Sequence, residues 1–489
     1  MAHHDHRHQA VISRRALLRI SARLALPLAP LPLLAACGGP ATTSVTTSSQ
    51  AVVATSARAQ TAVATVAATS TSTSAPVPAA AAPAGSAITL HYSFYASDPE
   101  TVIYKQLTDD FHVQTPDITV VPDHVVGVDY FEKMKTLLSA GTPPDVMMFT
   151  TKELKGFIIQ NAFRALDALQ QQSVTYKQAD IFPVEWAKNV FKGKLWAVPL
   201  THSPAVIYYQ KDLFDKLHVP YPPSSWDDAS WTWDAHLQRA RQLTTPAGGS
   251  PTFGHDNGTS WWFVQPFIWS NNDDYLSADS TQVQIDHAAV VAAFQWVADF
   301  RNKSKVMPSP SDKVGDTTTA FINARIGMFM AITSTAPTLL AHPGLNFNVA
   351  PLPHHTAQSW TRNPQLNVTI SGITKYPQQS WRWIEHLAGE PGQRALAQLH
   401  RGLPAMIKVA QSPDWLTPGA TADWKVFLDA ALQHSHPEHE IVRFEDLNKM
   451  LGDAYQKILS GAQTAAEMAQ AIKGPLETLI AANTVATQA

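Results

Sequence analysis

From Ile88 onward the chain alternates β-rich stretches with amphipathic helical ones, and that order limits the fold more than any other feature. ITLHYSFY (88–95) alternates as a half-buried strand does. Asp98-Pro99-Glu100 then reads as a helix start, with a capping acid, a proline at the first helical position and an acid in the first turn. Ile103, Leu107 and Phe111 recur at helical spacing and predict a helix through Gln114. DITVVP (117–122) predicts a second strand, Tyr130 to Leu138 a helix stopped at Gly141, and DVMMF (145–149) a short buried strand. Further on, DHAAVVAAFQWVADF (286–300) and SWRWIEHLAG (380–389), the latter opened by Ser380, read as helices. ARIGMFMAI (324–332) and NFNVAPLP (346–353) read as strands. Strands alternating with helices predict an α/β protein with largely parallel sheets. At 489 residues more than one core is expected, because single cores seldom grow past about 300 residues.

The N-terminus has a different character. Arg14-Arg15 precede apolar residues, and Leu24 to Ala36 is uncharged but too short, and too rich in proline, to span a bilayer. Residues 1–36 therefore read as an export signal, and the arginine pair resembles a twin-arginine signal. Leu34-Ala35-Ala36-Cys37 resembles the lipobox of bacterial lipoproteins, in which the cysteine is acylated and becomes the first mature residue. Cys37 is the only cysteine, so an internal disulfide and a multi-cysteine metal site are excluded. From Pro40 to Ala87 the sequence is nearly all Ala, Thr, Ser, Val and Pro, with Arg58 its sole charge. Such a stretch buries too little to offset its ordering entropy, so residues 37–87 are expected to be a lipid-anchored, disordered linker. The expected location is the extracellular face of the cell membrane or the periplasm. A net charge of −3 carries no nucleic-acid footprint.

Five stretches, in order, resemble the family 1 extracellular solute-binding proteins, the sugar-binding components of ABC importers related to maltose-binding protein. They are FHVQTPDITVV (111–121), LLSAGTPPDVMMF (137–149), GKLWAVPLTHSPAVIYYQKDLFDK (193–216), SSWDDASWTWDAHLQRARQLT (224–244) and FINARIGMFM (321–330). Gln210 departs from the usual Asn, Ala324 from the usual Gly, and ITSTAP (332–337) lacks the usual Gly-x-Trp. The resemblance implies a two-lobed, periplasmic-binding-protein-like fold of type II. It places lobe 1 at 88–202 and 353–402 and lobe 2 at 203–352 and 403–489. Hinge crossings are implied near Leu200–Pro204, Val349–Pro353 and Gly402–Pro404. It also implies a carbohydrate ligand in the interlobe cleft, delivery to the transmembrane subunits of an ABC permease, a membrane-anchored monomer and no enzymatic activity.

The resemblance puts Phe149 and Trp262 at stacking positions on the two lobes, and Ser203 at a polar ligand contact after the first crossing. Apart from it, HDNGTSWWFVQPFIWSNNDD (255–274) gathers Trp261, Trp262 and Trp269 beside Asn257, Asn271 and Asn272, as a sugar site needs flat faces and amides together. Tyr95, Ser97 and Asp98 follow the first strand and are expected to aim a helix N-terminus into the cleft. Trp231 and Trp233 are read as packing residues, and Lys152 and Arg325 as solvated charges.

Two other classes stay open. A secreted glycoside hydrolase needs two carboxylates across a cleft, but no acid lies in a recognisable catalytic motif, so no catalytic residue is assigned. A metal-binding lipoprotein is suggested by 20 histidines, above all HSHPEHE (434–440) and His354-His355. That stretch has no helical i, i+4 pair, and Pro437 suggests a loop, so neither a metal nor another cofactor is predicted.

Overall fold

The computed structural model describes residues 87–489 except 97, 126–128, 246–250, 418–421, 440 and 489. The export signal, Cys37, almost all of the linker and Ser97 lie outside the described residues, as does the side chain of Asp98.

The principal elements run β1 (Ile88–Tyr95), α1 (Asp98–Gln114), β2 (Ile118–Val125), α2 (Asp129–Ser139), β3 (Val146–Thr150), α3 (Thr151–Ile159), α4 (Pro183–Ala187) and β4 (Val198–His202). A second group follows: β5 (Ala205–Gln210), α5 (Trp233–Leu243), β6 (Phe253–Asp256), α6 (Gln265–Ser270), α7 (Ala288–Asn302), β7 (Ile326–Ile332) and β8 (Phe347–Ala350). Then come β9 (Gln365–Ile370), α8 (Pro377–Ala388), α9 (Glu390–Ala397), β10 (Leu403–Pro404), α10 (Lys425–Asp429), α11 (Phe444–Leu459) and α12 (Ala465–Gln488).

One sheet has the order β10-β4-β9-β3-β1-β2 and the other β8-β5-β7-β6. Only β1–β2, β1–β3 and β6–β7 are parallel among their named pairs. The expected parallel character thus holds only where strand–helix units follow one another. β9 re-enters the first sheet from the other lobe, and both β9 and β10 pair antiparallel. The helix expected from Ser380 starts at Pro377, whose fixed backbone suits a first turn, and Ser380 is buried within it.

β4 passes to β5 through Ser203 and Pro204. The second crossing lies further along the chain than expected. Residues 354–361 still bond to lobe 2, with His354 N to Trp231 O, Ala357 N to Ser270 O and Thr361 N to His434 O. The return comes at Arg362–Gln365. The third is also displaced, because β10 pairs with β4 and the Met406 amide bonds to Gln393 of α9. The chain engages lobe 2 again at Asp423, whose amide donates to Asn348 Oδ1 at 2.7 Å, and then at Val426, whose carbonyl accepts from Trp226 Nε1. In both cases the proline-bearing segment ends or extends a strand, and the passage follows it.

The departures from the family pattern have local outcomes. Gln210 caps the next helix by accepting a hydrogen bond from Asp212 N at 3.0 Å. Ala324 adopts the left-handed region, with φ 53°, where glycine is usual.

Trp231 and Trp233 lie in the second core, as expected, with Trp233 stacked on Trp296 at 4.5 Å. Beside them is a buried chain in which His236 Nε2 is 3.1 Å from His255 Nδ1, and His255 Nε2 is 2.6 Å from Asn257 Oδ1. The amide oxygen requires a proton on His255 Nε2, so His255 Nδ1 accepts from His236 Nε2 and both rings are neutral. Burial lowers both histidines, His255 to about 4. Unfolded histidine binds a proton near pH 6.5, so this contribution to stability is present above that pH and is lost as pH falls toward 4. Thermal unfolding of the protein should show its midpoint dropping over that interval, with a shallower drop in His236→Phe; equal slopes would contradict this assignment.

Candidate functional site

The lobes meet where β3 ends. Its last residue, Thr150, leads directly into α3, so Lys152 and Glu153 occupy the first helical turn at the carboxyl end of a strand, where open α/β sheets bind ligands. Opposite stand Trp262, Pro437, Glu438 and His439, and residues 441–445. Gly156 of α3 approaches this segment so closely that an added Cβ would lie 3.3 Å from Val442 O.

The two crossing segments form the back of the cleft. Ser203 N donates to Pro364 O at 2.9 Å, Ala205 N to Arg362 O at 3.1 Å, and Thr361 Oγ1 to Ala205 O at 2.6 Å. This antiparallel contact places Arg362, Asn363 and Gln365 at the junction. Arg362 is 2% exposed, and its Nη2 donates to Glu438 Oε2 at 3.0 Å. Burial tends to raise the Glu438 carboxyl, but Arg362 and Lys152 outweigh it and hold the group at about 2. Asn363 Nδ2 is 3.0 Å from Glu185 Oε1 and 2.9 Å from His202 Nδ1. Lys188 Nζ reaches both Glu185 oxygens at 3.0 Å, and Gln365 Nε2 donates to Glu185 O at 2.8 Å. The result is a largely buried polar cluster carrying paired charges, with Lys188 and Glu438 partly exposed.

A cavity of about 340 Å³ opens onto this cluster, lined by Thr151, Lys152, Lys188, Asn363, Gln365 and Glu438 among others. Asn363 Oδ1 and Glu438 Oε1 are buried without a hydrogen-bond partner, while Lys188 Nζ gives its three donors to Glu185 Oε1, Glu185 Oε2 and Asn363 O. A second interlobe cavity, of about 570 Å³, shares Lys152 and is bounded by Leu138, Gly156, Phe157, Val442 and Phe444. Both are of ordinary size for small-ligand sites.

Trp262 is half-buried at this junction. Its Nε1 donates to Asn448 Oδ1 at 2.7 Å, with Arg362 Cζ 5.0 Å and Lys152 Nζ 3.4 Å from its ring centroid. Lys152 is thus not the solvated charge expected. Removal from water, then the proximity of Arg362, lowers its ammonium to about 7 against the pull of Glu438, Glu153 and Glu445. Arg325, the other expected solvated cation, donates from Nε to Pro251 O at 2.7 Å.

The remaining expected residues are placed as follows. Phe149 is fully buried among Phe157, Phe163, Phe131 and Tyr130, and so offers no stacking face to the cleft. Tyr95 is half-buried, 5.6 Å from both Tyr130 and Phe131, with Arg401 Cζ 5.1 Å from its ring. Ser203 lies in the first crossing and acts there through its backbone. Asn257 is buried and its oxygen is taken by His255. Trp261 is buried and donates to Asn448 at 3.0 Å, leaving Trp262 as the ring at the junction. Asn271 accepts from His355 Nδ1 at 2.9 Å, and Asn272, at φ 63°, turns the chain after α6. The asparagines of 255–274 therefore shape the loop.

The histidine-rich stretch is a scaffold for Glu438. His434 stacks on Trp226 at 5.0 Å and His436 on Trp269 at 4.3 Å. His439 bridges Asp274 Oδ2 at 3.0 Å and Ser280 Oγ at 2.7 Å. Among the described residues, no group of three His, Cys, Asp or Glu side chains is arranged to hold a metal.

Arg362, Asn363, Gln365, Glu185 and Lys188 escaped the sequence reading, and Glu438 entered it only within the candidate metal stretch 434–440. The available signals were Arg362-Asn363 just ahead of the strand QLNVTI, and Lys152 just after the buried strand DVMMF.

Two α/β lobes meeting at a polar cleft, with crossing strands at its back, define a solute-binding protein of the two-lobed periplasmic type. Residues 106–426 match the family described as bacterial extracellular solute-binding protein, and the chain belongs to that family. Binding protein BAB2_0491 of Brucella abortus is 23% identical over 364 residues, covering 73% of this chain and 85% of the relative. Among solved structures, the substrate-binding protein Lmo0181 of Listeria monocytogenes in complex with cycloalternan has a TM-score of 0.73 and 18% identity. That match covers 80% of this chain and 98% of the other. UgpB of Mycobacterium tuberculosis, in complex with glycerophosphocholine, has a TM-score of 0.71 and 17% identity, with the same coverages. These proteins are binding proteins, not enzymes.

Removing the Glu438 charge would leave Arg362 buried without its counter-ion. Glu438→Gln should lower the free energy of unfolding by about 3 kcal/mol in a denaturant titration. An unchanged midpoint would show that the pair does not hold the cleft together.

Proposed function

We propose that this protein is the extracellular receptor of an ABC importer, and that its cleft takes a neutral carbohydrate and passes it to the permease. The observation that carries this reading is a half-buried indole, Trp262, in contact with Lys152 at the edge of a cavity lined by the polar side chains of Thr151, Asn363, Gln365 and Glu438. Sugars present apolar ring faces edged by hydroxyls, and such a lining satisfies both parts. Lys188 and Arg362 are already paired with Glu185 and Glu438, which favours hydroxyl groups over a phosphate. The cycloalternan complex of the Listeria protein gives the carbohydrate reading a precedent in the same fold. No bond is made or broken on this chain. It acts as a monomer, exported by the twin-arginine signal and held at the outer membrane face by an acyl group on Cys37, while the linker lets the lobes reach the permease.

Calorimetric titration against mono- and oligosaccharides should give saturable binding, weakened about tenfold or more in Trp262→Ala. A panel in which no carbohydrate binds, or in which the variant binds equally well, would sink the assignment. Separately, Cys37→Ala should leave the protein unprocessed or released, with its sugar affinity unchanged; equal retention in washed membranes would remove the anchor.

A further inference from the structure

Lys152 contacts Trp262 across the cleft: the lysine stands on α3 of the first lobe and the tryptophan on the second. Its ammonium lies 3.4 Å from the Trp262 centroid and 4.9 Å from that of Phe444. Among the described residues no carboxylate lies within ion-pair distance of Lys152, so the aromatic faces are its nearest specific partners. A cation at this distance from an indole is in the attractive range, and exclusion of water strengthens the attraction. Lys152 also lines both interlobe cavities and stands where they adjoin. A sugar cannot stack on the covered face of Trp262 until the ammonium leaves it.

We infer that Lys152 is a specificity-determining clasp: it draws the lobes together through Trp262 and Phe444, and it competes with the ligand for the indole face. The competition rests on the proposed reading of the cleft as a carbohydrate site; the clasp does not. The close approach of Gly156 to Val442 lies one turn along the same helix, so the contact that brings α3 near residues 441–445 also brings the two backbones together. Only a ligand whose interactions exceed those of the clasp will displace it. Weakly stacking polyols are therefore rejected, and ligands with a broad apolar ring face are selected.

Two measurements on the full-length chain decide this. Hydrogen–deuterium exchange without added sugar reads the clasp. Lys152→Ala and Lys152→Met should both raise exchange in 151–159 and in 441–447, whereas Lys152→Arg, which keeps a cation over the ring, should restore protection. Unchanged protection in Lys152→Ala and Lys152→Met would overturn the clasp. Titration with glucose, maltose, maltotriose and mannobiose reads the competition. Lys152→Ala should bind any sugar that the parent binds about two- to thirtyfold more tightly, the factor expected for releasing a cation–π contact. Weaker binding in Lys152→Ala would make the lysine a ligand contact and overturn the competition. If none of these sugars binds either protein, the competition falls with the carbohydrate reading, and the exchange experiment still decides the clasp.

Discussion

The architecture depends on one short antiparallel contact, the pairing of 203–205 with 361–364. Three hydrogen bonds there join an outgoing crossing to a returning one. Because β4 and β9 continue these segments into one sheet, and β5 carries the outgoing segment into the other, movement of either lobe is transmitted through this pair. The same contact sets Arg362 facing Glu438 and Asn363 facing Glu185. The hinge region and the back of the ligand cavity are therefore built from the same residues.

Burying charge at such a junction is costly unless each charge is compensated. Here Arg362 is paired with Glu438, and Lys188 with Glu185. The histidine-rich stretch meets the positional demand for Glu438: His434 and His436 stack on tryptophans and His439 is held by Asp274, so the loop is fixed on both sides of the carboxylate. A run of residues that resembles a metal motif thus reads as mechanical support. Lys152 is the exception to the pairing. Its ammonium rests on aromatic faces, and its basicity is depressed by removal from water and then by the nearby Arg362.

Much of the fold was legible in the sequence, because periodicity reports local structure directly. β1, α1, β3 and α7 fall within a few residues of their expected positions. The strand directions were not legible, since pairing depends on where the chain re-enters a sheet. The crossings were misplaced for a similar reason: prolines at 351, 353 and 404 mark strand ends, while the change of lobe follows the hydrogen bonds of residues beyond them. At the site, composition led to the aromatic-rich stretch and found Trp262. It could not separate that ring from Trp261 one residue away, because both indoles donate to Asn448 of α11 and only tertiary packing buries Trp261 and leaves Trp262 half-buried. Phe149 illustrates the same limit: the apolar run DVMMF places it in a buried strand, but tertiary packing decides that its ring meets the core and not the cleft. The charged residues of the cleft come from 152, 185, 188, 362 and 438, and no local pattern unites positions so far apart.

The central claim is that the interlobe cleft, at Trp262 and Glu438, is the ligand site. A crystal structure of the protein with the tightest-binding carbohydrate from the titrations tests it most directly. The account predicts a sugar ring against Trp262, hydroxyls on Asn363 and Glu438, and the Lys152 ammonium moved off the indole. A sugar bound elsewhere on the molecule, with the Lys152–Trp262 contact intact, would contradict it.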